Sequence, residues 1–208
     1  MLDTWCSILD TYHHMEITTE IIKELRAATG VSIMQCKKAL EEAKGDMDKA
    51  KIILRKQSAT AASKKADRAL GAGIAAAYTH SGGSVIGAVV LACETDFVSK
   101  NEEFGKLAYD IAMHIAAMDP IWINRKEVTD TDTVAARSVF ENEVQNVPEA
   151  ARQKALEGKL DGFIKERVLL EQPFVKDSSR SVRELIEEAI QKFGEKIEVV
   201  RIERLSVK

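Results

Sequence analysis

The stretch Ser84–Phe104, SVIGAVVLACETDFVSKNEEF, decides how this chain must fold. It opens as an almost unbroken apolar run rich in Val, which reads as a buried strand. The run stops at a carboxylate, Glu94. From Ser99 the period changes. Phe104, Leu107, Ala108, Ile111, Ile115 and Met118 recur at helical spacing, and Ser99 with Glu102 has the form of a capping box that would open the helix. A strand therefore feeds a helix through a short turn, and one large aromatic, Phe97, sits in that turn directly after Asp96. The residues alone leave two readings of the ring. It folds back onto Phe104 as core, or it is held outward on a surface turn.

Working upstream, GIAAAYTH is separated from the apolar run by SGGS, which predicts two strands joined by a Gly-Gly hairpin. At the far end of the chain KIEVVRIERLSV alternates Ile197, Val199 and Ile202 with charges, with Val200 out of step. Strands over 72–80, 85–94 and 196–207 would form one antiparallel sheet covered by helices, an α+β arrangement. Between them, 130–146 and 148–170 read as polar, charge-laced helices, and EQPFVKDSSRSV as a loop leading to a helix over 182–193 that stops at Gly194.

Further upstream lie three short helical patterns. Ile17, Ile21, Ile22 and Leu25 line one, capped by Thr18 or Thr19 and closed by Gly30. Ile33, Cys36, Ala39, Leu40 and Ala43 line the second, opened by Ser32 with Gln35 and closed by Gly45. Met47, Ala50, Ile53 and Leu54 line the third, opened by Asp46. Three helices with tight turns predict a small bundle over 16–57, an interaction module rather than a catalyst. An Ala- and Lys-rich helical connector, 58–70, would join it to an α+β core over 71–208 that carries a helical excursion at 130–170.

The composition sets limits on function. The chain has 208 residues, 45% apolar and 30% charged, with a formal net charge of −3. That balance argues against a nucleic-acid binder, whose domains carry a clear basic excess. The charge is uneven, however: from Glu16 to Ala66, 11 Lys and Arg face 7 Asp and Glu. Cys6, Cys36 and Cys93 are odd in number and form no CxxC, as expected of reduced cytosolic thiols. No apolar run approaches a membrane span of about 18 residues. Residues 1–15, MLDTWCSILDTYHH and Met15, lack the marks of a secretion signal and match poorly the better-patterned helical segment downstream of them; they read as a tag, a misassigned start or a loose tail. His13 and His14 could ligate a metal, but nothing near them completes a site.

Signatures of enzymes are weak. No GxxxxGK[ST] is present, and GAGIAA at Gly71 follows a helical pattern and opens a strand, the reverse of a dinucleotide fingerprint. No Cys/His group has zinc spacing. The pairs Glu102–Glu103 and Glu187–Glu188 read as solvated helix faces. His114 lies beside the apolar stripe of its helix, where a satisfied boundary histidine and a functional one are both compatible with the pattern.

Four separated motifs, TDFVSKNEEF, IKELRAATGVSIMQCKKALEEAKGDMDKA, IAMHIAA and LLEQPFVKD, together resemble the bacterial elongation factor Ts family, in the family's order and from about Glu16 onward. The resemblance implies that the N-terminal bundle is similar to ubiquitin-associated domains. It implies no catalytic residue and no cofactor. Its implied activity is guanine nucleotide exchange on elongation factor Tu in its GDP form, in the cytoplasm, without direct nucleic-acid or membrane contact. Thr95, Asp96, Phe97 and Val98 would form an element that intrudes near the partner's Mg²⁺. Arg26, Met34 and Lys37 would be contact residues on the bundle, with His114 and Val175 as further contacts. The chain is too short for the duplicated core and inserted coiled coil of longer members. It resembles the short form, which implies a homodimer. An adaptor that uses the bundle to hold another protein, without exchange, is the competing reading.

Overall fold

In the computed structural model, which describes residues 17–207, the chain is mixed helix and sheet, the α+β class expected. The N-terminal helices are α1 (Thr19–Thr29), α2 (Ile33–Glu42) and α3 (Met47–Lys64). Each is opened by the side chain the sequence indicated: Thr18 accepts from the Ile21 N–H, Ser32 from Gln35 and Asp46 from Asp48 and Lys49. Gly30, at φ 69°, closes α1 in the left-handed region that glycine adopts without strain. Leu25, Val31, Cys36, Ala39, Leu40, Ala50 and Leu54 are buried together as one apolar cluster. Ile33, expected on that inner face, is instead half exposed at the first residue of α2.

The third helix does not end where a separate connector was expected to begin. α3 runs unbroken to Lys64, and its two faces serve two neighbours: Leu54 lies in the N-terminal cluster, while Ala62 packs on the larger core and Ser58 bonds Gln191. Residues 1–15, including His13 and His14, lie outside the described residues.

The sheet is the one the alternation indicated. β1 (Ala72–Thr79), β2 (Val85–Cys93) and β5 (Ile197–Ser206) are antiparallel in the order β1-β2-β5. Gly82 and Gly83, with φ of 78° and 72°, turn the β1–β2 connection. Val200 falls at a register shift opposite Val90 and Leu91 and points outward, which accounts for its break in the alternation. One face of the sheet, carrying Val89, Leu91, Cys93, Ile197 and Val199, packs on α5 (Glu102–Met118) through Phe104, Leu107, Ala108, Ile111, Ala112 and Ile115. The helix approaches β2 most closely at Gly87, where an added methyl group would collide with the Ala112 carbonyl and the Ala116 N–H.

Four local expectations need correction. α5 is opened by Asn101, whose side chain accepts from the Glu103 N–H, and not by Ser99. Ser99 instead ends a one-turn helix, α4 (Asp96–Ser99). Asn is among the strongest N-caps, so the nearer cap prevails. Met118, at the last turn of α5, is largely exposed. The segment expected as a loop before the last helix contains a short hairpin, β3 (Pro173–Phe174) with β4 (Asp177–Ser181), whose polar sequence hid it. α6 (Asp130–Glu143) and α7 (Glu149–Lys165) form the helical excursion around Val144, Leu156 and Leu160. α8 (Val182–Phe193), opened by a Ser181–Glu184 capping box, covers the core and receives α3. Glu188 on α8 is not the solvated carboxylate expected. It pairs with Arg180 at 2.7 Å, and burial raises its pKa.

Candidate functional site

The short helix α4 is built by what surrounds it. β2 delivers the chain at Cys93, and α5 takes it up at Asn101. Between them Val98 is 4% exposed and lies in the core cluster. One turn of helix with Val98 turned inward must turn its neighbour outward, and Phe97 is 81% exposed. The alternative left open by the residues is thereby settled: Phe104 packs edge-on against Phe193, with 6.0 Å between ring centroids, and Phe97 is no part of that core.

Beside the ring, Asp96 is exposed. Lys100 bonds it at 2.7 Å, one helical turn away, and this hydrogen bond with the attendant charge holds the carboxyl below its ordinary range. Among the described residues the Phe97 ring meets no other aromatic ring and no cation over its face. Exposed surface of that kind suits contact with another molecule.

The other residues of the expected site separate into those that reach the surface and those that do not. Met34 is 64% exposed, Arg26 and Lys37 are exposed, and Lys37 faces Glu41 at 3.8 Å. Val175, at the tip of the β3–β4 hairpin, is 44% exposed. Val98 is not available to a partner. It anchors α4 from inside. Thr95 is exposed, but its hydroxyl and its N–H are both engaged by Glu195.

His114 likewise does not face outward. It is 0% exposed. Its Nδ1 accepts from the Val175 N–H at 3.2 Å, which leaves the proton on Nε2 to donate to Gln172 Oε1 at 2.9 Å. Gln172 in turn donates to the Glu166 and Met118 carbonyls. Both ring nitrogens are thus used internally, and the role open to His114 is to hold the Val175 hairpin against α5. The pair Lys176–Asp110, at 2.8 Å, ties the same hairpin to the same helix.

Burial lowers the pKa of His114, so the unfolded chain binds a proton more readily than the native one. The stability this confers is present above the ordinary histidine value of about 6.5 and is lost as pH falls through the lower native value. The melting temperature should therefore fall as pH is lowered from about 7.5 to 5.5. His114→Leu should flatten that slope and, by leaving Gln172 and Val175 unpaired, lower stability by about 2 kcal/mol. Equal slopes for both proteins in thermal melts would contradict this.

Sequence reasoning passed over Glu94, Glu195 and Gln172. Gln172 and His114 lie 58 positions apart, and Glu195 and Thr95 lie 100 apart, so no local pattern could link them.

The sequence matches known proteins over nearly its whole length. The family profile for elongation factor TS matches residues 17–208. Elongation factor Ts of Thermotoga neapolitana is 42% identical over 193 residues, covering 93% of this chain and 98% of that protein. The protein of the same name from Desulforamulus reducens is 45% identical over 191 residues, covering 91% of this chain and 88% of its own length. That of Herpetosiphon aurantiacus is 44% identical over 197 residues, with 93% and 98% covered. On a match that spans nearly the whole chain and its relatives alike, the chain belongs to the elongation factor Ts family.

Proposed function

We propose that this protein is a guanine nucleotide exchange factor of translation elongation, which binds elongation factor Tu carrying GDP and speeds release of the nucleotide. Asp96 and Phe97 enter the partner near its Mg²⁺ and loosen the ion's hold, and with it the hold on the phosphates whose charge the ion neutralises. The observation that carries this reading is the outward ring of Phe97 on a turn fixed by β2, by buried Val98 and by α5. No covalent bond is made or broken in such a step, so the chain needs no catalytic residue.

The magnitudes require more than one contact. Burying a Phe side chain yields about 1.5–3 kcal/mol, while a nucleotide held at nanomolar affinity is bound by about 12 kcal/mol. Arg26, Met34 and Lys37 on α1 and α2, and Val175 on the hairpin, supply further surface. Because coupling is reciprocal, GDP must weaken binding of this protein by the factor by which this protein weakens GDP. The test is release of labelled GDP from elongation factor Tu, with substoichiometric amounts of the chain and of its Phe97→Ala variant. Acceleration by the wild type, lost in the variant, supports the reading. Binding without acceleration would leave an adaptor.

We also propose that two copies associate. The sheet face turned away from α5 carries exposed Ala75 and Ala77 on β1, half-buried Ile86, Ala88 and Val90 on β2, and exposed Leu205 on β5, with Arg201 and Glu203 paired at 2.9 Å beside them. A strip of apolar side chains rimmed by charge is a surface that two copies could bury against each other about a twofold axis. Sedimentation should give a dimer for the wild type and a monomer for Val90→Arg. A wild type that stays monomeric at working concentration removes this proposal.

A further inference from the structure

Two carboxylates from opposite ends of the core meet at the root of α4. Glu195, in the turn between α8 and β5, accepts from the backbone N–H of Glu94 at 3.1 Å and of Thr95 at 3.0 Å through one oxygen, and from the Thr95 hydroxyl at 2.6 Å through the other. Glu94 returns the arrangement. Its carboxylate accepts from the Lys196 N–H at 2.5 Å and from the Arg68 guanidinium at 3.2 Å. Each acid therefore closes the backbone of the other's turn.

Thr95 is the residue most affected. It occupies the N-cap position of α4, where a threonine hydroxyl ordinarily accepts from the helix's own N–H groups, yet it makes no such cap. Its hydroxyl is given to Glu195. Its carbonyl accepts from the Cys93 thiol at 3.2 Å and from the Ser99 N–H at 3.2 Å. Thr95 is thus fixed at N–H, hydroxyl and carbonyl, immediately before an exposed aspartate and an exposed aromatic. Hydrogen bonds to a charged acceptor are the stronger kind, and here three of them converge on two consecutive residues.

We propose that Glu195, with Glu94 beside it, is a positioning residue for nucleotide exchange: it fixes the direction in which Asp96 and Phe97 leave the core, so that the partner meets them already ordered. This rests on the exchange function proposed above. Without the clamp, ordering of the turn falls on the step in which the ring enters. Fixing one residue's backbone costs an entropy equivalent to about tenfold in rate.

Glu195→Ala should therefore lower the GDP release rate at saturating elongation factor Tu about tenfold, with the half-saturating concentration changed by less than about twofold, because the contacts on α1, α2 and the hairpin are untouched. Glu195→Gln should recover most of the rate, since its amide oxygen can still accept from both N–H groups and its amide nitrogen can donate to the Thr95 hydroxyl. Hydrogen exchange at the Glu94 and Thr95 amides should quicken in Glu195→Ala and stay slow in Glu195→Gln, while Leu91 in β2 stays protected in both. Wild-type release rates in Glu195→Ala, alongside slow release in Phe97→Ala, would overturn the positioning role and leave the exchange function standing. A loss of rate that follows a fall in melting temperature and is not rescued by Gln would overturn it equally. If the wild-type chain itself does not accelerate release, the exchange function falls and this inference with it.

Discussion

Phe97→Ala should slow GDP release from elongation factor Tu by about 10–100-fold, the loss of the 1.5–3 kcal/mol that burying the ring contributes, if that burial is realised in the step that ejects the nucleotide. The variant should melt within about 1 °C of the wild type, since an exposed side chain with no partner adds little to stability. The two measurements must diverge. A core phenylalanine replaced by alanine costs about 3–5 kcal/mol and would lower melting and activity together. Phe104, buried edge-on against Phe193, provides that contrast within the same chain. Unchanged release kinetics in Phe97→Ala would remove the ring from the mechanism.

Gly87→Ala should produce the largest loss of stability of any single methyl added to the chain at a described glycine. The new carbon would press on the Ala112 carbonyl and the Ala116 backbone of α5, with the Ala116 methyl group 3.0 Å away. Backbone atoms cannot step aside as the end of a flexible side chain can. Helix and sheet must part, and the apolar contacts of Val89, Leu91, Ile111 and Ile115 loosen with them. Overpacking of this kind costs about 1–3 kcal/mol, or roughly 2–4 °C for each kcal/mol in a chain of this size. Gly158→Ala is the control. That glycine lies in the interior of α7 and, apart from its chain neighbours and its own helix backbone, no atom lies within 4 Å of an added methyl, so the substitution should stabilise by about 0.5–1 kcal/mol. A melting temperature for Gly87→Ala equal to that of the wild type would show that the helix does not sit this close to the sheet.

Much of this architecture was legible from local pattern, and the exceptions have physical causes. In the larger sheet β5 carries the alternation that one covered face requires and β2 the continuous apolar run of a central strand, while Gly82 and Gly83 mark the β1–β2 turn because few other residues tolerate the left-handed region twice in succession. The N-terminal helices were readable because their caps are local: Thr18, Ser32 and Asp46 each bond a backbone group within three residues. The turn on which the proposed exchange depends was read less well. Starting α5 at Ser99 rather than at Asn101 hides the turn of helix that sends Val98 in and Phe97 out. The family resemblance placed Val98 and His114 among partner contacts, yet both are buried by this chain's own side chains, Val98 beneath α4 and His114 behind the Val175 hairpin. Glu195 left no mark at all, since its partners are set by the meeting of two turns that only the folded sheet brings together.

The third helix has a mechanical consequence. Leu54 faces the N-terminal cluster while Arg55, one residue later, reaches the Ser179 carbonyl and Ser58 bonds α8, so the two attachments overlap along the same turns of α3. No stretch of slack peptide separates them, and a swivel would have to break one set of contacts or the other. On the exchange function proposed above, the surfaces bearing Met34 and Phe97 would be joined by a frame without slack, and a GTPase gripped at both places would meet a caliper of fixed opening, so that a change of shape in it would strain the grip.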